Sequence, residues 1–562
     1  MTYRKGAKYS FLLFLLFASA VIFLFFFRLG DRPLWSSDEG RFGEIAREMW
    51  ESRDFIHPRF NYVDFFEKPV LAPWLSAFSI GLLGATSFAV RLPLACAAVL
   101  CIGMTGLSVR RLYDNPTAML AMMFQATGLG YVLVGRFAVI DVLLTLFLSG
   151  AFFSLLAAIL SGKKRHYLAA SIFMGAAFLS KGLVGLALPA LVVLIFLIWE
   201  QRLAELKKIP WIWGTLIILV MTLPWILAMA KHEPEFLSVF FVHQQFSRFA
   251  GGSFGRTRPF WFYIPILFGI AMPWTFFIPA AIRNALQPSE HRSIRRFLLC
   301  WAGITFIFFS ASKGKLPYYI LPVAVPLAVL FADLFNALFR SSLNAGTAKL
   351  FHRSWQVLYG VLFAAIPGFI LFLLIWGPKV IEATPVMLPY VAAGSIFSLA
   401  ALGLSLFYYR RAQFVPALWI LAIIPYAILT TTSLAMEALN PVQSTAGFAK
   451  VIRERHEPGD MVAIFASPDH FSDLPFHLQR RVAIVGGDRG TLTAESREDE
   501  SGHDSDWFFD TDRFVALFKT GEQKIFLLTD EEKLPEILNA GMPAGKIYLR
   551  QSHKVLLVNR TD

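Results

Sequence analysis

Charge is scarce in this chain of 562 residues: only 16% are Asp, Glu, Lys or Arg, against about 25% in soluble domains. That deficit argues against a soluble enzyme. Cysteine is rarer still. Cys96, Cys101 and Cys300 all sit inside apolar runs, make neither a disulfide framework nor a zinc spacing, and read as buried free thiols. No Walker loop, G-x-G-x-x-G unit or H-E-x-x-H helix occurs in a fitting context, so cytosolic nucleotide chemistry has no anchor. With 56 Phe and 14 Trp the chain is not low-complexity or disordered. Its formal charge of +13 is spread over short turns and forms no single patch, which argues against a nucleic-acid partner.

What is abundant is apolar sequence. Hydrophobic residues make up 56% and the mean hydropathy is +0.56. Most runs are long enough to cross a hydrocarbon core of about 30 Å. Segments 11–27, 88–109, 116–134, 141–160, 168–180, 182–198, 210–229, 260–281, 297–311, 316–337, 356–376, 387–409 and 414–435 predict about thirteen spans. The first follows Arg4, Lys5 and Lys8 and lacks a small-residue cleavage site, so it reads as an uncleaved anchor. Residues 69–86 read as a juxtamembrane or half-inserted segment. The expected fold class is therefore an α-helical polytopic membrane protein over residues 1–436, followed by an extramembrane α/β domain over 437–562. In that domain strand-like runs at Met461–Ala466, Arg481–Val485, Lys524–Leu528, Lys546–Leu549 and Val555–Val558 alternate with helix-like stretches at Thr445–Arg455 and Glu531–Asn539,. Thr491–Asp506 reads as a loop.

Alternate connections carry the Lys and Arg clusters: the N-terminus, Arg110-Arg111, Lys163-Lys164-Arg165, Arg202 with Lys207-Lys208, Arg283 with Arg292, Arg295 and Arg296, Arg340 with Lys349 and Arg353, and Arg410-Arg411. Such clusters belong on the cytoplasmic side. An odd number of spans then places the C-terminal domain on the opposite, periplasm-like side of a bacterial inner membrane, together with the long loop 29–68.

The ionisable residues of the outer connections are the chemical candidates. Asp38-Glu39-Gly40-Arg41-Phe42 opens a stretch with Phe42, Ile45, Met49 and Trp50 at helical spacing, predicting an amphipathic helix from 38 to 51 along the membrane surface. Capping is the plain role for both acids; Arg41, one turn on, makes Asp38 half of an acid–cation pair. Glu67-Lys68-Pro69 marks the return to the membrane, where Lys68 either snorkels or meets a lipid phosphate while Glu67 meets a metal. Arg136 and Asp141 flank the outer end of a span, and an ionisable residue there is costly and marks a site. Ser180-Lys181-Gly182 forms another outer turn. His243, Gln244, Gln245 and Arg248 precede a glycine-rich stretch whose Arg256 and Arg258 suit bidentate contact with phosphate oxygens. Ser312-Lys313-Gly314-Lys315 adds two cations. Cations at headgroup level suit a membrane substrate bearing phosphate, and an outer-face enzyme without ATP must take an activated one. A lipid-phosphate sugar meets both conditions.

Asp38-Glu39-Gly40-Arg41-Phe42, Glu67-Lys68-Pro69, Arg136 with Asp141, Ser180-Lys181-Gly182 and Ser312-Lys313 with Leu316-Pro317-Tyr318-Tyr319-Ile320-Leu321-Pro322, in that order, resemble the GT-C glycosyltransferases of the aminoarabinose (lipid A) transferase and protein O-mannosyltransferase type. The resemblance covers about the first 430 residues. It implies inverting transfer from an undecaprenyl- or other polyprenyl-phosphate sugar to lipid A phosphate. It further implies a catalytic carboxylate at Asp38, a second functional carboxylate at Asp141, phosphate contacts by Arg41 and Lys68, and Tyr319 lining the phosphate site. A divalent metal (zinc, magnesium or manganese) would be held by Glu67 with His243. Phe42 stands where relatives commonly have Tyr. The runner-up is transfer to a protein or another glycolipid. A secondary transporter or flippase would need ionisable groups at the midplane and an inverted repeat, whereas the charges here gather at one surface.

Overall fold

The computed structural model describes residues 15–233, 236–241, 258–377, 383–486, 507–543 and 545–560. They fall into two compact units. One comprises Met1–Phe27, Leu94–Gly377 and Leu388–Ser433; the other comprises Arg28–Pro93, Pro378–Met387 and Leu434–Asp562.

The first unit is helical. Among the described residues eight helices are long and apolar enough to cross a membrane: Ser87–Leu112, Asp141–Ser161, Trp211–His232, Arg292–Ala311, Pro317–Phe339, Ala345–Ile375, Thr384–Arg410 and Phe414–Glu437. Phe260–Ala271 and Trp274–Ala285 qualify together as a pair bent by 110°, a ninth span if counted as one. Helices occupy every apolar segment read from the sequence; length and continuity are what differ. Leu15–Phe26 and Val184–Trp199 are shorter apolar helices, and Lys164–Lys181 begins before the expected 168. The expected span 116–134 is two helices, Asn115–Ala126 and Leu129–Val134, with Gly128 extended between them. Glycine is needed here: a Cβ on Gly130 would lie 2.5 Å from the Ile270 Cα, and the Leu129 amide donates to the Met272 carbonyl at 2.9 Å. The 110° bend follows from Pro273, which lacks an amide hydrogen and pushes the preceding residue out of the helical region; Met272 has ψ of 135°. Pro317–Phe339 is the enclosed helix, with 94% of its apolar window buried, while Trp211–His232 and Ala345–Ile375 have 17%. The chain is a polytopic α-helical membrane protein.

The second unit is built on a six-stranded sheet. Its strands are β3 (Met461–Phe465), β4 (Ala483–Val485), β5 (Phe508–Phe509), β6 (Ile525–Asp530), β7 (Lys546–Gln551) and β8 (Lys554–Val558), in the order β5-β4-β3-β6-β8-β7. The first four run parallel, and β8 and β7 are antiparallel. Alternation along β3 sends Val462 and Ile464 to one face, with Phe448, Ile452 and Phe471. Ala463 and Phe465 go to the other, with Phe514, Phe518 and Ile537. A two-residue period splits a strand in this way, and burial on both faces is usual for parallel strands. The five expected strands are present as β3, β4, β6, β7 and β8, and β5 is an addition. The loop read at Thr491–Asp506 lies outside the described residues.

The loop 29–68 belongs to this second unit. Its helix, Asp38–Ser52, starts where the periodicity placed it, but every residue from Glu39 to Met49 is buried. It is enclosed on all sides and does not lie half-immersed along a membrane surface, which corrects that expectation. Strands β1 (Arg59–Phe60) and β2 (Val63–Asp64) are joined by Asn61 and Tyr62, both at positive φ (56° and 63°), the conformation a tight two-residue hairpin turn requires. Asn61 is tied to the sheet, its side chain exchanging 2.8 Å hydrogen bonds with the amide and carbonyl of Val482. Leu71–Leu83 is a 13-residue helix, about 20 Å long and too short to span.

Candidate active site

In the second unit the site residues grow from the first turn of the helix Asp38–Ser52. Adjacent carboxylates there have separate fates. Glu39 is 3% exposed and is held by two guanidiniums: Arg91 Nε and Nη2 at 2.8 and 2.9 Å, and Arg32 Nη2 at 2.8 Å. Arg91 also donates to the carbonyls of Leu29, Arg32 and Pro33 at 3.0, 2.6 and 2.8 Å. Burial pulls the Arg32 guanidinium down to about 10 against the opposing pull of Glu39. Glu39 is therefore a structural anchor. Asp38 points elsewhere: its side chain is 21% exposed and its Oδ1 lies 4.0 Å from Arg41 Nη1.

Arg41 is 2% exposed, and its Nη2 donates to Asp469 Oδ1 at 2.7 Å. Asp469 lies in the short 3-10 helix Pro468–Phe471, just after β3. The same segment fastens the start of the helix. Asp473, fully buried, accepts from Ser36 Oγ at 2.6 Å and from Ser444 Oγ and the Thr445 amide at 2.7 Å. Ser472 Oγ donates to the Ser37 carbonyl at 2.7 Å. Gly40 allows this approach, since a Cβ there would stand 2.5 Å from the Asp473 nitrogen. Phe65 is buried with its ring centroid 5.9 Å from the Arg41 guanidinium. Glu67 is buried, at 3% exposed, and Lys68 is half-buried.

In the helical unit, Asp141 is the first residue of Asp141–Ser161 and is 1% exposed. It forms an ion pair with Lys181, the last residue of Lys164–Lys181. The acid thus sits at a helix N-terminus and the ammonium at a helix C-terminus, each where the helix dipole favours its sign. Lys181 Nζ stands 3.5 Å from the centroid of the Tyr319 ring, a cation–π contact, so Asp141 and Tyr319 are joined through a lysine. Arg136 turns inward and donates to the carbonyls of Leu24 and Phe27 at 2.8 and 2.5 Å, satisfying the C-terminal end of Leu15–Phe26. Lys315 is likewise 4% exposed and donates to the carbonyls of Ser312 and Arg258. It is a loop clamp and not a surface cation. Arg258 and Lys313 are exposed. Arg256 and His243 lie outside the described residues.

No group of three His, Cys, Asp or Glu side chains that could hold a metal occurs among the described residues. Glu67 alone does not make a metal centre, and its expected partner is His243. Of the residues named from the sequence, Asp38 and Arg41 lie within 4.0 Å of each other as their one-turn spacing suggested, and Asp141 and Tyr319 both meet Lys181. Sequence reasoning assigned no role to Lys181 and did not find Asp469, Asp473 or the Glu39–Arg91 anchor. Asp469 and Asp473 sit in an unremarkable Ser-Pro-Asp-His-Phe-Ser-Asp stretch more than 420 residues from Arg41 and Ser36.

Residues 67–227 match the dolichyl-phosphate-mannose-protein mannosyltransferase family. A protein of Edwardsiella ictaluri named undecaprenyl phosphate-alpha-4-amino-4-deoxy-L-arabinose arabinosyl transferase is 30% identical over 567 residues, covering 96% of this chain and 98% of that protein. One of the same name from Shewanella sediminis is 38% identical over 316 residues, covering 56% of this chain and 58% of its own length. Among solved structures, ArnT from Cupriavidus metallidurans bound to undecaprenyl phosphate superposes with a TM-score of 0.83 at 23% identity, covering 98% of each chain. The Archaeoglobus fulgidus oligosaccharyltransferase gives 0.51 at 15% identity, over 94% of this chain and 70% of that one.

Proposed function

Since the chain belongs to the undecaprenyl phosphate-α-4-amino-4-deoxy-L-arabinose arabinosyl transferase family of GT-C glycosyltransferases, we propose that it moves 4-amino-4-deoxy-L-arabinose from undecaprenyl phosphate to a phosphate of lipid A. The observation that carries this reading is the end-to-end alignment with the Edwardsiella protein. The basic clusters on alternate connections support an inner-membrane protein with its N-terminus cytoplasmic and its C-terminal domain periplasmic.

In the proposed transfer, an acceptor oxygen attacks the anomeric carbon from the face opposite the lipid phosphate. The bond from that carbon to the phosphate oxygen breaks, its electron pair leaves with undecaprenyl phosphate, and the sugar is inverted. Negative charge grows on the departing phosphate, and preorganised cations in a dry site stabilise it far more than they would in water. Arg41 and Lys68 fill that role, with Arg256 and Arg258 as further contacts. A phosphate monoester carries about −1.5 to −2 charge at pH 7, so little proton removal is needed; Asp38 takes the residual proton and orients the attacking oxygen. A hydroxyl acceptor would need Asp38 as a full general base. In the helical unit the Asp141–Lys181 pair places an ammonium beside Tyr319, a cation of the kind a phosphate would take. A divalent ion on Glu67 and His243 remains part of the proposal, but none of these steps passes through it.

The test is transfer by purified protein in detergent. Undecaprenyl phosphate-linked aminoarabinose and lipid A should give lipid A heavier by one aminopentose and an equivalent of undecaprenyl phosphate. Unmodified lipid A with folded protein contradicts the reading. The match over residues 67–227 favours one second reading, a protein acceptor, and sugar appearing on added protein instead of lipid A would support it.

A further inference from the structure

We propose that Arg110, Arg111, Lys163, Lys164 and Arg165 form a docking site for the headgroup of an anionic phospholipid bearing two phosphates, at the membrane face opposite Asp141. The site lies within the helical unit and shares no residue with the proposed chemistry.

Two turns distant in sequence build it. Arg110 and Arg111 end the helix Ser87–Leu112. Gly162, at a φ of 69°, closes Asp141–Ser161 and turns the chain into Lys163, Lys164 and Arg165, a left-handed position that favours glycine. The two helices are neighbours, Cys101 Sγ meeting Ser149 Oγ at 3.7 Å. Their ends come together too, since Arg165, Lys163 and Arg111 all lie within electrostatic reach of His166. All five cations are exposed, and among the described residues none of them is ion-paired. The nearby acids are engaged elsewhere. Asp114, just after Arg111 in sequence, is held by Arg340 at 2.5 Å and the Thr117 amide at 2.8 Å. Glu205, within reach of Tyr167, is held by Arg202 and Lys208 at 3.0 and 2.9 Å. Lys164 and Arg165 also open a helix whose first turn has no acid, the end at which the helix dipole disfavours cations. Orientation in the membrane needs basic residues on one side only; it does not need two turns to crowd them together. A bound anion relieves that repulsion.

Position makes the anion a lipid headgroup. Asp141–Ser161 has 21 residues and is about 30 Å long, the thickness of a hydrocarbon core, so the turn at Gly162 lies at headgroup level. Apolar side chains continue from the cations into the membrane. Leu100 and Leu107, 62% and 60% exposed, share a helical face with Arg111, and Ile172, 51% exposed, shares one with Arg165,. Phosphate oxygens accept from the guanidinium and ammonium groups while acyl chains lie along these stripes. Basic pockets between spanning helices bind cardiolipin headgroups in this way, and cations drawn from two turns match two phosphates better than one.

The experiment titrates the full-length protein in detergent with cardiolipin, phosphatidylglycerol, phosphatidylcholine or inorganic phosphate, and reads binding by native mass spectrometry and by the shift in Tm. The patch variant combines Arg111→Gln, Lys163→Gln and Arg165→Gln. The control combines Lys349→Gln, Arg353→Gln and Arg410→Gln, which removes the same charge from exposed positions elsewhere in the helical unit. A basic residue near an anionic lipid is worth about fivefold in affinity, so the patch variant binds cardiolipin about 100-fold more weakly, while the control binds it as wild type does. Phosphatidylglycerol binds wild type more weakly than cardiolipin, and phosphatidylcholine and inorganic phosphate leave the Tm unchanged. Equal cardiolipin affinity in wild type and patch variant overturns the proposal, as does equal weakening in the control, which would reduce the effect to overall charge. Phosphatidylglycerol or phosphatidylcholine binding as tightly as cardiolipin overturns it as well, and tight binding of inorganic phosphate would assign the patch to a soluble anion. If the patch variant melts below wild type without lipid, Lys163→Gln alone decides: cardiolipin affinity about fivefold lower supports the site, and unchanged affinity overturns it.

Discussion

Replacing Arg91 by Ala separates the structural carboxylate of the first turn from the chemical one. Arg91 is 1% exposed and makes five hydrogen bonds, two to Glu39 and three to the carbonyls of Leu29, Arg32 and Pro33. Truncation leaves Glu39 buried beside the Arg32 guanidinium at 2.8 Å with half of its paired charge gone, and strips a donor from three carbonyls. Breaking one side of a buried ion pair costs about 3–5 kcal/mol, a large share of the roughly 5–15 kcal/mol by which domains are stable. A shift of about 2–4 °C accompanies each kcal/mol in a unit of some 200 residues, so the Tm should fall by about 6–20 °C. Tryptophan fluorescence during a thermal ramp of the purified protein reports it, and Trp35 and Trp50 lie on the affected segment. A Tm within about 2 °C of wild type would refute the assignment of Glu39 and Arg91 as the anchor.

Asp38→Asn should leave the Tm and the membrane yield unchanged while transfer falls by about 100-fold or more, the range expected for losing an acid–base group; retained turnover in a transfer assay removes Asp38 from the chemistry. Lys68→Ala should weaken undecaprenyl phosphate binding by about tenfold with little loss of thermal stability, and equal loss of both would show that Lys68 only snorkels. Glu48 gives a pH prediction: burial and the neighbouring Glu44 push its carboxyl well above its usual value. A group whose folded pKa is raised contributes stability below its unfolded pKa and loses it as pH climbs through the folded value. Glu48→Gln should therefore raise the Tm more at pH 8 than at pH 5, and a pH-independent change would contradict the burial argument.

Local pattern carried most of the fold. The apolar segments were legible because a span needs a run of adjacent apolar residues, and five of the sheet strands because alternation with turn residues marks them. β5 escaped, having two residues. The breaks at Gly128 and Pro273 were hidden for a different reason: glycine and proline occur inside intact helices too, as Pro93 and Pro367 do here. Contact with the Ile270 backbone is what makes Gly128 and Gly130 an interruption. The helix Asp38–Ser52 was placed correctly, but its surroundings were not, because Arg41, Glu44 and Arg47 look like a solvent face and are buried through ion pairs with Asp469 and with one another. At the site, Asp38 and Arg41 were readable from their one-turn spacing. Their neighbours Asp469 and Asp473 were not, since a contact across more than 420 residues leaves no mark in local sequence. Arg136 and Lys315 were read only as charges of the outer connections, and they turn inward to backbone carbonyls, a fate that depends on where a helix ends in space.

The most direct measurement is the mass spectrum of lipid A from a bacterial strain lacking its own aminoarabinose transferase, carrying either the wild-type chain or Asp38→Asn at equal membrane levels. The account predicts lipid A bearing one or more 4-amino-4-deoxypentose groups with the wild type and unmodified lipid A with Asp38→Asn. Unmodified lipid A with both, or the same modification with both, would contradict it.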